Sequence, residues 1–295
     1  MRHGTYSITA RDPVTGALGV AIHSHWFSVG PLCAWARPGA GAVATQSVVE
    51  PAYGARGLDA MASGESAPDA LARLLGADDS ARVRQVAMVD AAGRVAVHTG
   101  HDCIPVAGHV TGDGFSCQAN MMLRETVPAA MATAFAAADD ELPERLLAAL
   151  EAAEGEGGDV RGRQSAAMLV VPAAGEAWAT SVDLRVDDHA APLDELRRLM
   201  GLERAYSLAV AADELVGAGD FDAAIPLYER ASALAPESDE LVFWAGIGLA
   251  GSDLDAGVAR IRRAAAVNPH WLVLLDRLSP EFAPAGAEIR RALNR

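Results

Sequence analysis

The chain contains no lysine, because all 24 of its basic side chains other than histidine are arginine. This absence excludes a Schiff-base lysine, a lysine general base and the lysine of a phosphate-binding loop. Cysteine is also rare: Cys33, Cys103 and Cys117 are too few and too scattered for a disulfide framework or a paired-cysteine metal site. We therefore predict a reducing, cytoplasmic location, and we expect neither a metal nor another cofactor.

Long apolar runs are missing too, and no stretch of the sequence is suited to crossing a bilayer. The first residues lack the apolar core of a secretory signal, so we expect none. The formal net charge is −15, which argues against nucleic acid and anionic membranes as partners, since both attract clustered basic side chains. An apolar content of 51% is nevertheless enough to build a buried core.

Strand-like segments in the first two hundred residues come in pairs. Residues 5–23 and 83–99 each predict a hairpin around a turn rich in Asp and Gly. Because consecutive hairpins favour antiparallel sheets, we predict an α+β domain over residues 1–200, with helices covering stacked sheets. The other predicted elements are strands over 42–48, 115–119, 164–171 and 178–186, and helices over 67–75, 126–138, 142–153 and 193–200.

Beyond residue 201 the sequence predicts helices alone. The segment 218–224 is echoed by 251–257, and 233–236 is echoed by 266–269, both at an offset of 33 residues. This offset is close to the tetratricopeptide period of about 34 residues. We predict a small tetratricopeptide-like helical domain over residues 201–295, which could bind a protein partner.

The first two hundred residues resemble a bacterial family catalogued as domain of unknown function 1028, which has an N-terminal-nucleophile (Ntn) hydrolase-like fold. The resemblance implies a four-layer α-β-β-α sandwich and covers about residues 4–200, without naming a substrate. The blocks that carry it are Thr5–Ile8, Ala10–Pro13, Val20–Ala21, Ser24–Gly30, Gly41–Gln46, Tyr53–Gly54, Arg56–Leu58, Gly157–Asp159, Arg161–Gly162, Gln164–Ala166 and Val182–His189.

Thr5 is the predicted nucleophile, because it follows Gly4 at the start of the first long strand. If the Gly4–Thr5 bond is cut, Thr5 gains a free α-amine with a pKa of about 7.7–8.0, which can accept the hydroxyl proton. The strand also resembles the start of the proteasome β-subunit, where such a Gly–Thr bond is cut autocatalytically. Ser7, on the same strand face, is an alternative nucleophile or a substrate contact, and Thr5 could instead simply begin an uncut strand.

His23, Ser24 and His25 follow the apolar run of the second predicted strand. The two histidines share one face and Ser24 takes the other, because strand residues alternate. Proteasome relatives have Asp-Ser at the place of His23 and Ser24, and a lysine further on. Without lysine, that role falls to His25, to an arginine or to no residue, and His25 could equally be structural. Ser24 is a predicted substrate contact.

Other polar residues are candidates for the same cleft. Asn120 could donate a hydrogen bond to an oxyanion, or it could be an ordinary turn residue, and Gln46 could line the site. Asp159, Arg161 and Arg163 lie on a glycine-rich loop, where arginine could clamp a substrate carboxylate or pair with the aspartate to rigidify the loop.

A contiguous Asp187-Asp188-His189 segment suggests metal ligands, but capping of the next helix is the better interpretation.

Taken with the resemblance, the candidate residues predict an Ntn-type amide hydrolase, acting as a homodimer on a small amide or peptide-like molecule. The alternative is a non-catalytic Ntn-like scaffold that displays a tetratricopeptide-like interaction surface.

Overall fold

The structure is a computed structural model that describes residues 2–295, with the backbone alone described for residues 2 and 3. Contacts divide the chain into two units, one ending at Arg197 and the other spanning Arg198–Arg295. The boundary falls inside a long helix, near the predicted division at residue 200.

Two antiparallel sheets form the body of the first unit. The first sheet contains β1 (Arg2–His3), β4 (Ala34–Arg37), β5 (Gly41–Val48), β6 (Arg84–Asp90) and β7 (Val95–Thr99). Its order is β1–β5–β6–β7, and β4 also pairs with β5, along residues 41–44. Strand β1 pairs with the end of β5, placing His3 opposite Ser47.

The second sheet has six strands in the order β11–β10–β3–β2–β9–β8. They are β2 (Thr5–Arg11), β3 (Leu18–Ser24), β8 (Gly108–Gly112), β9 (Phe115–Asn120), β10 (Ser165–Val171) and β11 (Val182–Val186). Strand β2 lies between β3 and β9, so that Thr5 is opposite Ser24 on one side and Asn120 on the other.

Helices pack on each sheet. The helices of the first unit are α1 (Gly30–Cys33), α2 (Ala52–Ala62), α3 (Ala67–Gly76), α4 (Val127–Ala137) and α5 (Leu142–Gly155), with a 3₁₀ turn at Ala81–Val83. Helices α2 and α3 contact the first sheet, whereas α4 and α5 contact the second. The two sheets also contact each other, through β2 with β5 and β6 with β9.

Local sequence explains helix α3. The Ser66 hydroxyl accepts a hydrogen bond from the Asp69 N–H at 3.2 Å, and this cap satisfies a backbone donor that the first helical turn leaves free. The apolar side chains of the helix recur every three or four residues, so Ala70, Leu71 and Leu74 share one buried face.

Strand β2 is buried on both faces, and the two faces differ in polarity. Thr5 and Ser7 face the first sheet, where the Ser7 hydroxyl contacts Gln46 of β5. Tyr6 points to the opposite face, where its hydroxyl contacts Glu154 of α5. Alternation along the strand therefore places polar side chains between the sheets, at the end of β2 where Thr5 lies.

The second unit consists of helices. They are the part of α6 (Pro192–Gly217) beyond Arg197, α7 (Phe221–Leu234), α8 (Asp239–Leu249), α9 (Leu254–Val267), α10 (His270–Arg277) and α11 (Gly286–Ala292). Asp220 caps α7 by accepting the Ala223 N–H at 3.2 Å, and Asp253 caps α9 by accepting the Ala256 N–H at 2.9 Å. The repeated sequence thus produces the same helix start twice.

Aromatic side chains contribute to the core of the second unit. Phe243 stacks on Trp271 with ring centroids 4.8 Å apart, and Trp244 packs against the same cluster. The Trp271 indole N–H donates to Asp239 Oδ2 at 2.7 Å, which satisfies its polar atom.

The prediction of a mixed α+β chain with antiparallel sheets and a helical C-terminal region is confirmed. Two boundaries were wrong. The last strand begins at Val182 rather than at residue 178, and the helix predicted to end at residue 200 continues to Gly217. Among the described residues, every helix is too short or too polar to traverse a bilayer.

Candidate active site

Thr5 lies at the start of β2 and is fully buried. Its hydroxyl Oγ1 donates a hydrogen bond to the Ser24 hydroxyl at 3.1 Å. Ser24 ends the neighbouring strand directly opposite Thr5, so the hairpin register brings the two hydroxyls together. The nucleophile predicted from the sequence is therefore adjacent to a predicted substrate contact.

The carbonyl oxygen of Gly4 accepts two hydrogen bonds from side chains. Ser24 Oγ donates to it at 2.5 Å, and Arg161 Nη2 donates to it at 2.8 Å. Both donors act on the peptide bond that joins Gly4 to Thr5. Because a cation and a hydroxyl both withdraw electron density from this oxygen, the carbonyl carbon becomes more open to attack by a nucleophile.

Asp159 fixes the orientation of Arg161. The Arg161 guanidinium donates from Nε to Asp159 Oδ1 at 3.1 Å and from Nη2 to Oδ2 at 2.8 Å. The Asp159 side chain is fully buried, and it also accepts the backbone N–H groups of Arg161 at 2.9 Å and His25 at 3.2 Å. These bonds satisfy the carboxylate and hold the guanidinium against Gly4.

Two amide side chains hold the next carbonyl, that of Thr5 itself. Gln46 Nε2 lies 3.3 Å and Asn120 Nδ2 lies 3.5 Å from the Thr5 oxygen. The Asn120 amide, predicted as an oxyanion donor, is thus directed at Thr5 O, whereas Gly4 O accepts from Ser24 and Arg161. The Asn120 Oδ1 atom is buried and has no hydrogen-bond partner.

A buried amide network extends this group between the sheets. Ser7 Oγ donates to Gln46 Oε1 at 2.6 Å and accepts from Gln118 Nε2 at 2.6 Å. Gln85 Oε1 accepts from Gln46 at 2.8 Å and from Asn120 at 3.0 Å. The sequence prediction missed Gln85 and Gln118; the available signal was a glutamine inside each of two otherwise buried strands.

Strained backbone flanks the same site. Ser47, which follows Gln46, has φ +69°, and Met121, which follows Asn120, has φ +59°. Side chains other than glycine rarely adopt this left-handed conformation, and such strain often accompanies functional sites. Here it occurs at the residue directly after each of the two amides that contact the Thr5 carbonyl.

The other face of β2 carries a separate buried group. The His23 ring stacks on Tyr6 at 4.6 Å, and both His23 ring nitrogens are buried without hydrogen-bond partners. Burial lowers the pKa of His23 to about 4, so the ring is neutral at pH 7. Burial, followed by the adjacent Glu154 carboxylate, raises the pKa of Tyr6 well above its usual range.

Two predicted site residues point away from Thr5. The His25 ring lies beyond the end of β3, with Nδ1 at 3.2 Å from the Arg163 carbonyl oxygen. Arg163 donates from Nε to Glu154 Oε1 at 2.6 Å, next to Tyr6. The structure therefore brings Thr5 together with predicted residues from its own strand and from four other segments. Those residues are Ser7, Ser24, Gln46, Asn120, Asp159 and Arg161. His25 contributes its backbone N–H to this group.

A family model described as a family of unknown function, DUF1028, matches residues 5–196. The chain belongs to the DUF1028 family. A solved structure from the same family, protein SPO2555 from Silicibacter pomeroyi, is similar to this chain, with 34% sequence identity and a TM-score of 0.61. The similarity covers 67% of this chain and 88% of that one. No curated protein matches the chain.

In the Asp187–His189 segment of this DUF1028 chain, the side chains of Asp188 and His189 accept hydrogen bonds from nearby residues. His189 Nδ1 accepts the Ala191 N–H at 3.0 Å, and Asp188 Oδ1 accepts from Gln164 Nε2 at 3.2 Å. Within the part of the chain that the structure describes, no group of three or more His, Cys, Asp or Glu side chains is arranged to hold a metal ion.

The three cysteines are buried and free, and burial raises the pKa of the Cys33 thiol to about 12.

Two open clefts of the DUF1028 unit are lined by residues other than Thr5. One, of about 230 Å³, is lined by Glu154, Arg163 and Leu193, and another, of about 380 Å³, by Tyr53 and Arg56. Thr5 lines neither of them. The Thr5 side chain is fully buried, and Gly4 and β1 directly precede it in the chain.

Proposed function

We propose that this chain is an N-terminal-nucleophile amide hydrolase that acts on a small amide or peptide-like molecule. Thr5 is the nucleophile, and cutting of the Gly4–Thr5 bond by the chain itself releases it. The fold that accompanies this proposal is the four-layer α-β-β-α sandwich of Ntn hydrolases. Helices on the outer face of each sheet, together with direct contact between the sheets, support that arrangement.

The observation that carries the proposal is that Ser24 and Arg161 both donate hydrogen bonds to the Gly4 carbonyl oxygen. Ser24 in turn accepts from Thr5 Oγ1, so hydrogen bonds lead from the Thr5 hydroxyl through Ser24 to the Gly4 oxygen. Arg161 supplies a positive charge to the same oxygen. A chain of donors from the nucleophile to the oxygen that gains charge is the arrangement that self-cleavage needs.

In the first step, Thr5 Oγ1 attacks the Gly4 carbonyl carbon. A C–O bond forms while the carbonyl π bond opens onto oxygen, which Arg161 stabilises. The Thr5 proton passes to Ser24 Oγ as the Ser24 proton passes to the Gly4 oxygen, so Ser24 ends the step unchanged. The hydrogen bonds between these groups already have the required direction.

In the second step, the Gly4 oxygen gives up the proton that it gained, its double bond to carbon forms again, and the bond between the Gly4 carbon and the Thr5 nitrogen breaks as the nitrogen takes up that proton. Gly4 is then held as an ester on Thr5 Oγ1, and Thr5 has a free α-amine. Water hydrolyses the ester and releases a Gly4 carboxylic acid. The preceding segment then leaves, which exposes the buried hydroxyl of Thr5.

The mature site uses the same groups on a substrate. The Thr5 α-amine accepts the hydroxyl proton as Oγ1 attacks the substrate carbonyl, and it returns a proton to the leaving amine. Arg161, which donates to the Gly4 oxygen, is the cation that takes the place of the lysine that this chain lacks.

Self-cleavage of newly translated chains tests the proposal. We expect Thr5→Ala to stay uncut, because it lacks the hydroxyl, and Thr5→Ser to be cut, because it retains one. Ser7→Ala is the matched control and should be cut. Ser7 is equally buried on the same strand face, but its hydroxyl contacts Gln46 instead of Gly4. Cutting of Thr5→Ala at the wild-type rate would overturn the assignment of Thr5.

The second unit enters the proposal as a tetratricopeptide-like surface for a protein partner. The identical aspartate caps at Asp220 and Asp253, 33 residues apart, support a repeated helical hairpin. If Thr5 proves inert, this surface carries the alternative function, a non-catalytic scaffold. The complete burial of Thr5 in the uncut chain is the observation that keeps this alternative.

A further inference from the structure

The surroundings of the Gly4 α-carbon leave no space for a side chain. A Cβ atom at this position would lie 2.8 Å from Asp159 Oδ2, 2.9 Å from Arg161 Nη2 and 2.9 Å from Met121 Cβ. Each distance is shorter than a normal van der Waals contact. Glycine is therefore the residue that fits on the acyl side of the bond that precedes Thr5.

This enclosure is rigid. The Asp159 carboxylate is buried and held by Arg161 and by the His25 N–H. The Met121 Cβ is attached directly to the backbone at a strained φ of +59°, so it moves only if the chain moves. The site therefore has little capacity to adapt to a larger acyl residue.

The chain leading to Gly4 is extended and adds a strand to the first sheet. Arg2 pairs with Val48 and His3 pairs with Ser47, antiparallel to β5. When this segment leaves, it uncovers the backbone N–H and C=O groups at the end of β5. An exposed strand edge of this kind binds extended peptides by strand addition.

We propose that the mature site hydrolyses amides whose acyl residue is glycine, carried at the end of an extended peptide that pairs with β5 at Ser47 and Val48. This inference rests on the proposed function. The same nucleophile and the same oxygen donors, Ser24 and Arg161, place the substrate carbonyl where the Gly4 carbonyl lies. The substrate α-carbon then occupies the Gly4 enclosure.

The chemistry of self-cleavage supports this choice. The ester that self-cleavage forms on Thr5 Oγ1 carries a peptidyl-glycyl group, and the site must hydrolyse it to release Thr5. A peptidyl-glycyl amide gives an ester of the same kind: Oγ1 bonds to the glycyl carbon, the C–N bond breaks, and the amine leaves with a proton from the α-amine. Water then frees the glycine carboxylate.

The experiment uses the self-cleaved full chain and peptidyl-aminomethylcoumarin substrates that end in Gly, Ala or Leu. We expect kcat/KM for the Gly substrate to exceed that for the Ala substrate by about 10- to 100-fold, the effect of overpacking a rigid site. N-methylation of the two residues before Gly, tested one at a time, should raise KM at one position at least, because it removes a pairing N–H group.

Met121→Gly removes the obstructing Cβ and tolerates the positive φ. It should lower the Gly-to-Ala ratio, whereas Leu123→Gly, at an exposed position two residues on, should leave the ratio unchanged. Equal rates for Gly and Ala, or cleavage of neither by self-cleaved chain, would overturn this inference alone. Absence of self-cleavage would overturn the proposed function and the inference with it.

Discussion

Arg161 is the charged residue that contacts the carbonyl oxygen of the Gly4–Thr5 peptide bond. Its guanidinium is oriented by the buried Asp159 and donates to the Gly4 oxygen at 2.8 Å. Arg163, two positions on, pairs with Glu154 on the other face of the strand. The loop thus directs two neighbouring arginines, which the sequence could not distinguish, to different partners, and of the two it is Arg161 that contacts the Gly4 carbonyl.

We predict that Arg161→Ala slows self-cleavage by about 100- to 1,000-fold, the usual cost of removing one donor to a developing oxyanion. Arg161→Lys should restore part of the rate, because it keeps the charge but loses the paired contact with Asp159. The rate constant is measured by mass spectrometry on newly translated chains. Arg163→Ala is the control and should be cut at the wild-type rate; equal slowing of both variants would contradict the assignment.

His23 makes stability depend on pH. Its pKa is about 4 in the folded chain and 6.5 when exposed, so between these values the unfolded chain binds more protons and folding weakens as pH falls. Over the whole window the loss approaches about 3 kcal/mol. His23→Phe, which retains an aromatic ring against Tyr6, should flatten this part of the profile in urea unfolding between pH 4 and 7.

The matched control for this pH effect is His101→Phe, at a side chain that is 79% exposed. It should leave the pH profile of the wild-type chain unchanged. A His23→Phe profile as steep as that of the control would show that groups other than His23 cause the acid sensitivity.

The buried amide network links strands of the two sheets. Gln85 of β6 accepts from Gln46 and Asn120 and donates to the Ala119 carbonyl of β9 at 2.9 Å. It therefore joins the first sheet to the second at the end where Thr5 lies. A buried polar contact between sheets is stable only when its members satisfy one another.

We predict that Gln85→Leu lowers the free energy of unfolding by about 2–4 kcal/mol, because it removes the nearest acceptor of the buried Gln46 and Asn120 amides and leaves them only longer contacts. Urea unfolding at pH 7 measures the change. Gln164→Leu is the control, since the Gln164 side chain donates to Asp188 near the surface, and it should change stability by less than about 0.5 kcal/mol. Equal effects of the two variants would contradict a structural role for the network.

The elements also show which contacts the sequence could predict. The hairpin over residues 5–23 is local, so its turn fixes the register that sets Thr5 opposite Ser24. Arg161 is more than 150 residues away from Gly4, and its contact depends on the order of strands across the second sheet, which periodicity does not specify. His25 differs for another reason: β3 ends at Ser24, so strand alternation no longer directs its ring.

At the scale of the whole molecule, family membership and the mixed α+β architecture could be predicted because many short blocks occur in order. The position of Gln85 could not, since a glutamine in a strand is usually a surface residue and only the packing of two sheets buries this one. The length of α6 was also missed, because Gly201 suggested an end that the surrounding helix-forming residues override.

The mass of the purified full-length wild-type chain tests the central claim most directly. If the Ser24 and Arg161 contacts on Gly4 prepare the bond for attack, the protein is recovered with Thr5 as its first residue. The account predicts this N-terminus in the wild-type chain and an intact Gly4–Thr5 bond in Thr5→Ala. A wild-type chain that keeps Gly4 after prolonged incubation at neutral pH would contradict the account and leave Thr5 as a buried strand residue.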